Sequence, residues 1–283
     1  MLIPGCTAEK APAQQRPERS RNAGAAPESP GRPRVSAAGS GAAGAAGVRE
    51  KLSRTLAAAE IPPDTARRVT ENAAADAGPG SFLADLETVL SGGDPYLRRL
   101  VDKQHPLPEN YEPADLIELR YGSYRAGIAD TMLLRRQAEA ALEAMAAAAK
   151  KEGITVTVSS AYRSYQYQIG SFDRWTKRLG LEEAARVSAR PGRSQHQLGL
   201  VVDFGSISND FAATAAGKWM AANAGRFGWS LSYPRDREAL TGYAWESWHY
   251  RYVGPDLVSF IETWFGGVQQ YALRFIHEWE QAP

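Results

Sequence analysis

The stretch RSQHQLGLVVDF, Arg193–Phe204, places the hardest condition on this fold: a run apolar enough to be buried ends on a carboxylate. From Leu198 to Phe204 the only polar side chain is Asp203, so wherever this segment packs, Asp203 packs with it. A buried carboxylate is costly unless a positive or strongly hydrogen-bonding group meets it. Either Asp203 has a structural donor, or it shares a cation with His196, one of only four histidines in the chain.

Geometry sharpens the question. His196 and Asp203 are an odd number of positions apart, so in one unbroken strand they would face opposite ways. Gly199 lies between them, and glycine permits the bend or bulge that lets them converge. A second segment, AWESWHYRYVG, alternates Trp248, Tyr250 and Tyr252 with His249, Arg251 and Val253. Its pattern reads as a strand with His249 on one face and Glu246 three residues upstream. If His196, Asp203 and His249 meet, two imidazoles and a carboxylate suit zinc, with ligands at about 2.0–2.2 Å and a fourth position open for water. Zinc would lower that water's pKa toward about 7 and polarise a carbonyl. Glu246, not itself a ligand, would then take a proton from the water and hand it to a leaving amine. The bland alternative stays open on spacing alone: a strand histidine is commonly a satisfied core residue, and an aspartate ending a strand is commonly a cap. No HExxH motif occurs, so the helical metalloprotease pattern is absent. His105, in a proline-rich segment, and His277, in a helical tail, read as structural or solvated.

The surrounding chain divides by composition. Residues 1–47 are dominated by Ala, Gly, Pro, Ser and Arg, which cannot bury enough surface to offset ordering entropy; they are expected to form a disordered tether. Cys6, the single cysteine, excludes an intrachain disulfide and a cysteine-based metal site. Its Gly-Cys setting would suit a lipoprotein cleavage site if the true start lay upstream, with an incidental free thiol as the plainer reading. No basic and apolar signal segment precedes it, and no apolar run reaches the roughly 20 residues that span a bilayer. Residues 48–95 carry apolar side chains at three- and four-residue spacing, the mark of a small helical segment. Residues 96–283 form the main domain: DTMLLRRQAEAALEAMAAAAKKEG is the clearest helix, ended by Gly153, and ITVTVSSAYR follows as a strand. Further strands are expected at LGLVVDF and SWHYRYV, with helices over SYQYQIGSFDRWTKRLG, TAAGKWMAANAGRFG and the aromatic-rich tail. This predicts an α+β fold, a small antiparallel sheet flanked by helices. With 33 basic against 32 acidic residues, no net field draws the chain to nucleic acid.

SSAYRSYQYQ, GRSQHQLGLVVDF and ESWHYRYVG resemble, in order, three signatures of the bacterial D-alanyl-D-alanine carboxypeptidases of the VanY type, and LVDKQHPLPENYEPADL is similar to the segment opening that family's domain. These are zinc peptidases that trim peptidoglycan stem peptides. The resemblance covers roughly Leu97 to the C-terminus. It implies Zn2+ held by His196, Asp203 and His249, Glu246 as general base, and Arg163 meeting the substrate's carbonyl or terminal carboxylate. Gln168 and Ser194 match positions that line the family's peptide pocket. Gln166 and Gln195 stand where an acidic residue is common, and Tyr250 where phenylalanine or tryptophan is frequent. The implied partner is a peptidoglycan stem peptide, and the implied location is the cell envelope, periplasmic or on the outer face of the cytoplasmic membrane. Related enzymes cut cross-links or an L,D bond with the same site, so endopeptidase and L,D-carboxypeptidase activities stand as alternatives. A cell-wall-binding module with a dead site would lack Glu246 or a ligand; all four residues are present here.

Overall fold

The computed structural model describes residues 41–75, 78–126 and 131–283. Cys6 and most of the expected tether lie outside these. Helix α1 (Gly41–Ala58) begins inside the Ala/Gly-rich stretch, because alanine extends a helix at little cost once the amphipathic VREKLSRTL turns exist. Helix α2 (Pro63–Ala75) starts on a proline, and α3 (Phe82–Ser91) is capped by the Ser81 hydroxyl, which accepts from Ala84 N. All three pack against the end of the chain. Leu52, Leu56, Val69, Phe82 and Leu86 share one buried cluster with Leu257, Phe260, Trp264, Leu273 and Phe275. Phe82 sits at its centre, 5.3 Å from the rings of both Phe260 and Phe275.

Strands β1 (Leu116–Glu118), β2 (Arg125–Ala126) and β3 (Leu133–Arg135) precede helix α4 (Arg136–Lys151). The helix expected from Asp130 therefore starts later. Leu133–Arg135 pairs antiparallel with β1, and Leu134, opposite Ile117, is fully buried, so cross-strand burial overrides the helical propensity of MLLRR. After β4 (Thr157–Ser160) come α5 (Tyr165–Leu179) and α6 (Leu181–Val187), then β5 (Val201–Phe204), α7 (Ala215–Asn223), β6 (Trp229–Leu231), the one-turn α8 (Glu238–Thr241) and β7 (His249–Tyr252). Helices α9 (Pro255–Phe265) and α10 (Gln269–Gln281) break at Gly266-Gly267, both in the left-handed region.

The main sheet runs β2-β4-β5-β7-β6. The expected antiparallel pairing holds from β4 to β6; the β2–β4 pair is parallel, because α4 carries the chain across between them. One face, with Val158, Val202, Phe204 and Tyr250, joins Leu142, Met145 and Ala149 of α4 in the core. On β7, Arg251 is fully buried, and its Nη2 donates to the carbonyls of Tyr96, Leu97 and Arg99. That clamp ties the segment linking the N-terminal helices to the strand bearing His249. No described helix is long and apolar enough to cross a membrane.

Candidate metal centre

Adjacent strands set out the site. Asp203 on β5 lies in register with His249 on β7 and with Ser160 on β4. The β4–β5 register shifts between Val158 and Ser160, a bulge that re-aims the end of β4, and Ser160 Oγ accepts from Arg163 Nε at 2.9 Å. His196 reaches the same place by another route. It does not open a strand: Gln195–Leu198 is a 3-10 turn, capped by the Ser194 hydroxyl accepting from His196 N. The turn ends at Gly199 with φ +66°. The reversal that parity demanded is thus made by a left-handed glycine ahead of β5.

The donor atoms converge under nearly complete burial: His196 and Asp203 are each 2 % exposed and His249 4 %. His196 Nδ1 lies 2.6 Å from Ala161 O, an acceptor only, so Nδ1 carries a proton and a neutral ring holds its lone pair on Nε2. Burial first, then Arg163, pushes His196 down to about 4, so the ring is neutral. Nε2 faces Asp203 Oδ2 at 3.2 Å and has no hydrogen-bond partner. A lone pair set against a carboxylate in the interior calls for a cation.

His249 shows the same logic from the other side. Its Nε2 lies 3.4 Å from Gln195 Oε1, which also accepts from Ser232 Oγ at 2.8 Å, and its ring packs 4.7 Å from that of Tyr233. Its Nδ1 sits 3.2 Å from Asp203 Oδ1 and 3.2 Å from Glu246 Oε2. Burial disfavours charge on this ring, but the two carboxylates outweigh it and lift His249 to about 9. The point between these oxygens accepts a proton or a metal ion. His196, Asp203 and His249 offer donor atoms all within 4.8 Å of one another. Ligands about 2.0–2.2 Å from a tetrahedral zinc stand roughly 3.3–3.6 Å apart; each imidazole lies 3.2 Å from one Asp203 oxygen, and with all donors inside 4.8 Å the two-nitrogen, one-oxygen set fits zinc after a small adjustment. Ala161 O behind His196 and Gln195 behind His249 are the partners that orient ligating imidazoles.

Asp203 and Glu246 are driven apart. Burial would raise Asp203, but with His196 neutral the Arg163 guanidinium and the hydrogen bond from His249 hold it well below the usual carboxylate range. Burial raises Glu246 and prevails over His249. Paired carboxylates tuned in opposite directions suit a charged ligand beside a proton carrier.

Arg163 reaches the cluster itself: its Nη2 donates to Asp203 Oδ2 at 2.6 Å. Gln168 and Ser194 are tied to the chain itself. Gln168 Nε2 donates to Ala189 O at 2.7 Å, with its Oε1 unpaired among the described residues, while Ser194 caps the His196 turn. Sequence reasoning missed Ala161, Ser232 and Tyr233, whose roles come from contacts 16 to 37 positions away in the chain. Gln195 was singled out only as a departure from the family's usual acidic residue. His105 and His277 pack on each other at 4.7 Å, far from this cluster in sequence, with His105 Nδ1 on Asp102 at 2.8 Å.

Residues 131–255 match the family described as VanY: D-alanyl-D-alanine carboxypeptidase. A putative carboxypeptidase, YodJ of Bacillus subtilis, is 39% identical over 185 residues, 62% of this chain and 66% of that protein. A D-alanyl-D-alanine carboxypeptidase of Enterococcus faecalis is 30% identical over 235 residues, 75% of this chain and 78% of that protein. Among solved structures, the LdcB LD-carboxypeptidase matches with TM-score 0.55 and 35% identity, covering 62% of this chain and 89% of that one. The vancomycin-resistance D,D-pentapeptidase VanY, solved with Zn(II), matches with TM-score 0.53 and 28% identity over 63% of this chain and 99% of that one. With the metal-ligand triad in place and relatives aligned across most of their length, the chain belongs to the VanY-type D-alanyl-D-alanine carboxypeptidase family of zinc peptidases.

Proposed function

We propose that this protein is a zinc-dependent D-alanyl-D-alanine carboxypeptidase that removes the C-terminal D-alanine from peptidoglycan stem peptides. One observation carries the reading: the unpaired His196 Nε2, the Asp203 carboxylate and His249 Nδ1 converge on one buried point, with Glu246 beside it at 3.2 Å from His249. Zinc held by His196, Asp203 and His249 supplies Lewis-acid polarisation of the scissile carbonyl and acidification of a water. Glu246 takes the proton from the attacking water; its raised pKa suits it to pass that proton to the departing D-alanine amine. Arg163 holds Asp203 ionised and fixed, and its remaining N–H groups are cationic donors for the substrate's oxyanion or carboxylate.

The same reading assigns catalysis to residues 96–283, helical support to 41–95, since α1 takes in the last seven positions of the expected tether, and a tether to 1–40. It puts the domain outside the cytoplasmic membrane, where stem peptides are. A lipid anchor at Cys6 is its finest part and rests on the Gly5-Cys6 pair alone.

A second reading, L,D-carboxypeptidase, is favoured by one finding: the LdcB match is higher in identity and TM-score than that of the D,D-pentapeptidase. Purified protein assayed for zinc and for D-alanine release separates them. Release from a pentapeptide ending in D-Ala-D-Ala supports the first. Release only from a tetrapeptide ending in a single D-alanine supports the second. Protein without zinc affinity would overturn both.

A further inference from the structure

Beside the metal centre, Lys103, Ala185, Ser188, Arg190, Arg193 and Tyr243 line a concavity of about 90 Å³. Ligand pockets usually span roughly 300–1,000 Å³, so this one takes a single chemical group rather than a whole molecule. Its walls say which group. Three of the six lining residues are cations, and none has a carboxylate within ion-pair distance among the described residues. The nearby carboxylate, Glu238, is committed elsewhere: Arg186 Nε and Nη2 clamp its two oxygens.

The three cations are held rather than loose. Lys103 Nζ lies 4.8 Å from the centre of the Tyr243 ring. The Arg193 guanidinium donates to Lys103 O, and Arg190 lies 5.2 Å over the Phe172 ring. Ser188 Oγ accepts from Gln168 Nε2 at 3.5 Å, which leaves its own proton to donate. Burial lowers the Lys103 pKa and outweighs the raising effect of Glu238, with Arg186 and Arg190 adding to the lowering. Three cations and a hydroxyl lining one concavity, with Glu238 the carboxylate that acts on Lys103 and Arg186 clamping its two oxygens, suit a planar, bidentate anion.

Position decides whose anion it is. Tyr243 packs on Tyr233 at 4.9 Å, and Tyr233 on His249 at 4.7 Å, so the concavity lies two ring contacts from a metal ligand. Arg193 immediately precedes Ser194, which caps the His196 turn. An extended peptide advances about 3.3 Å per residue, so a side chain only a few positions from a scissile bond at the metal can span the distance of those two ring contacts.

We propose that Lys103, Arg190 and Arg193 form a subsite for a carboxylate that the substrate peptide carries away from its scissile bond. This rests on the peptidase reading of the metal centre and adds a selectivity to it: peptides acidic near the cut are preferred over neutral ones. The test uses the whole zinc-loaded chain and two peptides ending in D-Ala-D-Ala that differ only in a neighbouring side chain, a carboxylate in one and its carboxamide in the other. The acidic peptide should have the higher kcat/KM by at least about tenfold, mostly through KM, the usual worth of a charged hydrogen bond. In Lys103→Gln and in Arg190→Gln that ratio should fall toward one. Equal rates on the two peptides, or a preference that survives both substitutions, would overturn the subsite. If neither peptide is cut although one zinc is bound per chain, the peptidase reading fails instead. Calorimetric titration of both peptides into the Glu246→Gln protein then decides the subsite alone: a matching affinity ratio supports it, and equal affinities refute it.

Discussion

Replacing Gly199 by alanine isolates the feature that lets a turn and a strand share one ion. At φ +66°, a non-glycine residue costs about 1–2 kcal/mol. The new Cβ would also stand 2.8 Å from Leu116 Cδ2, 2.9 Å from Arg135 Cγ and 3.2 Å from Pro113 Cγ. Easy retreat is blocked, because Arg135 N donates to Gly199 O at 2.9 Å and pins the turn to β3. Overpacking of this kind adds about 1–3 kcal/mol, for a total of about 2–5 kcal/mol. Gly153, at φ +76° with nothing within 4 Å of its would-be Cβ, carries only the conformational part, about 1–2 kcal/mol. Urea denaturation of the chelator-treated proteins should therefore rank wild type, Gly153→Ala and Gly199→Ala in falling stability. Zinc affinity, read by competition with a chromophoric chelator, should fall at least about tenfold in Gly199→Ala alone, since displaced ligands lose affinity on that scale. Equal loss of stability in both variants, with zinc affinity intact, would refute the role of this turn.

Glu246→Gln should keep about one zinc per chain and lose D-alanine release by about 10²–10⁴-fold; loss of zinc together with activity would make Glu246 a ligand instead. Gln195→Ala removes the acceptor behind His249 Nε2 and should weaken zinc binding about 10–100-fold. Gln195→Glu should restore or tighten it by offering a charged acceptor; a variant pair that binds zinc like wild type would remove Gln195 from the ligand's support. Zinc must displace the proton that two carboxylates hold on His249, whose pKa is lifted to about 9. Binding at pH 7.5 should accordingly release about one proton, and affinity should rise with pH and flatten near 9. Calorimetry in buffers of different ionisation enthalpy reads this, and an enthalpy independent of buffer would contradict it.

The chemistry of the site was legible in the sequence and its scaffolding was not. His196, Asp203, Glu246 and His249 fall in two short segments, each with local pattern enough to mark it, and convergence of His196 with Asp203 needed a bend that Gly199 permits. What sequence hid was non-local. The 3-10 turn at Gln195–Leu198 runs directly into the apolar segment of β5, and the contact that holds it, His196 Nδ1 on Ala161 O, spans 35 positions. Strands β1, β2 and β6, two or three residues each, are too short for periodicity to register. Leu133–Arg135 became strand because Leu134 found a buried place opposite Ile117, a fact of packing.

Arg163 is where sequence and structure differ most usefully. The resemblance implies a guanidinium that meets the substrate, and the structure adds a second role, with Nη2 on Asp203 and Nε on Ser160. These roles make opposite predictions for Arg163→Gln. If Arg163 chiefly fixes Asp203, the metal-free protein should lose about 1.5–3 kcal/mol, the worth of a hydrogen bond to a charged group; the larger cost of a stranded buried charge is tempered because the Arg163 side chain is 21% exposed. Zinc affinity should then hold or rise, because the carboxylate no longer divides its charge between metal and guanidinium, and KM should change little. If Arg163 chiefly binds substrate, stability should hardly move while KM rises tenfold or more. The 2.6 Å contact with a carboxylate held well below its usual range favours the first outcome. A variant of unchanged stability with a raised KM would return Arg163 to the peptide.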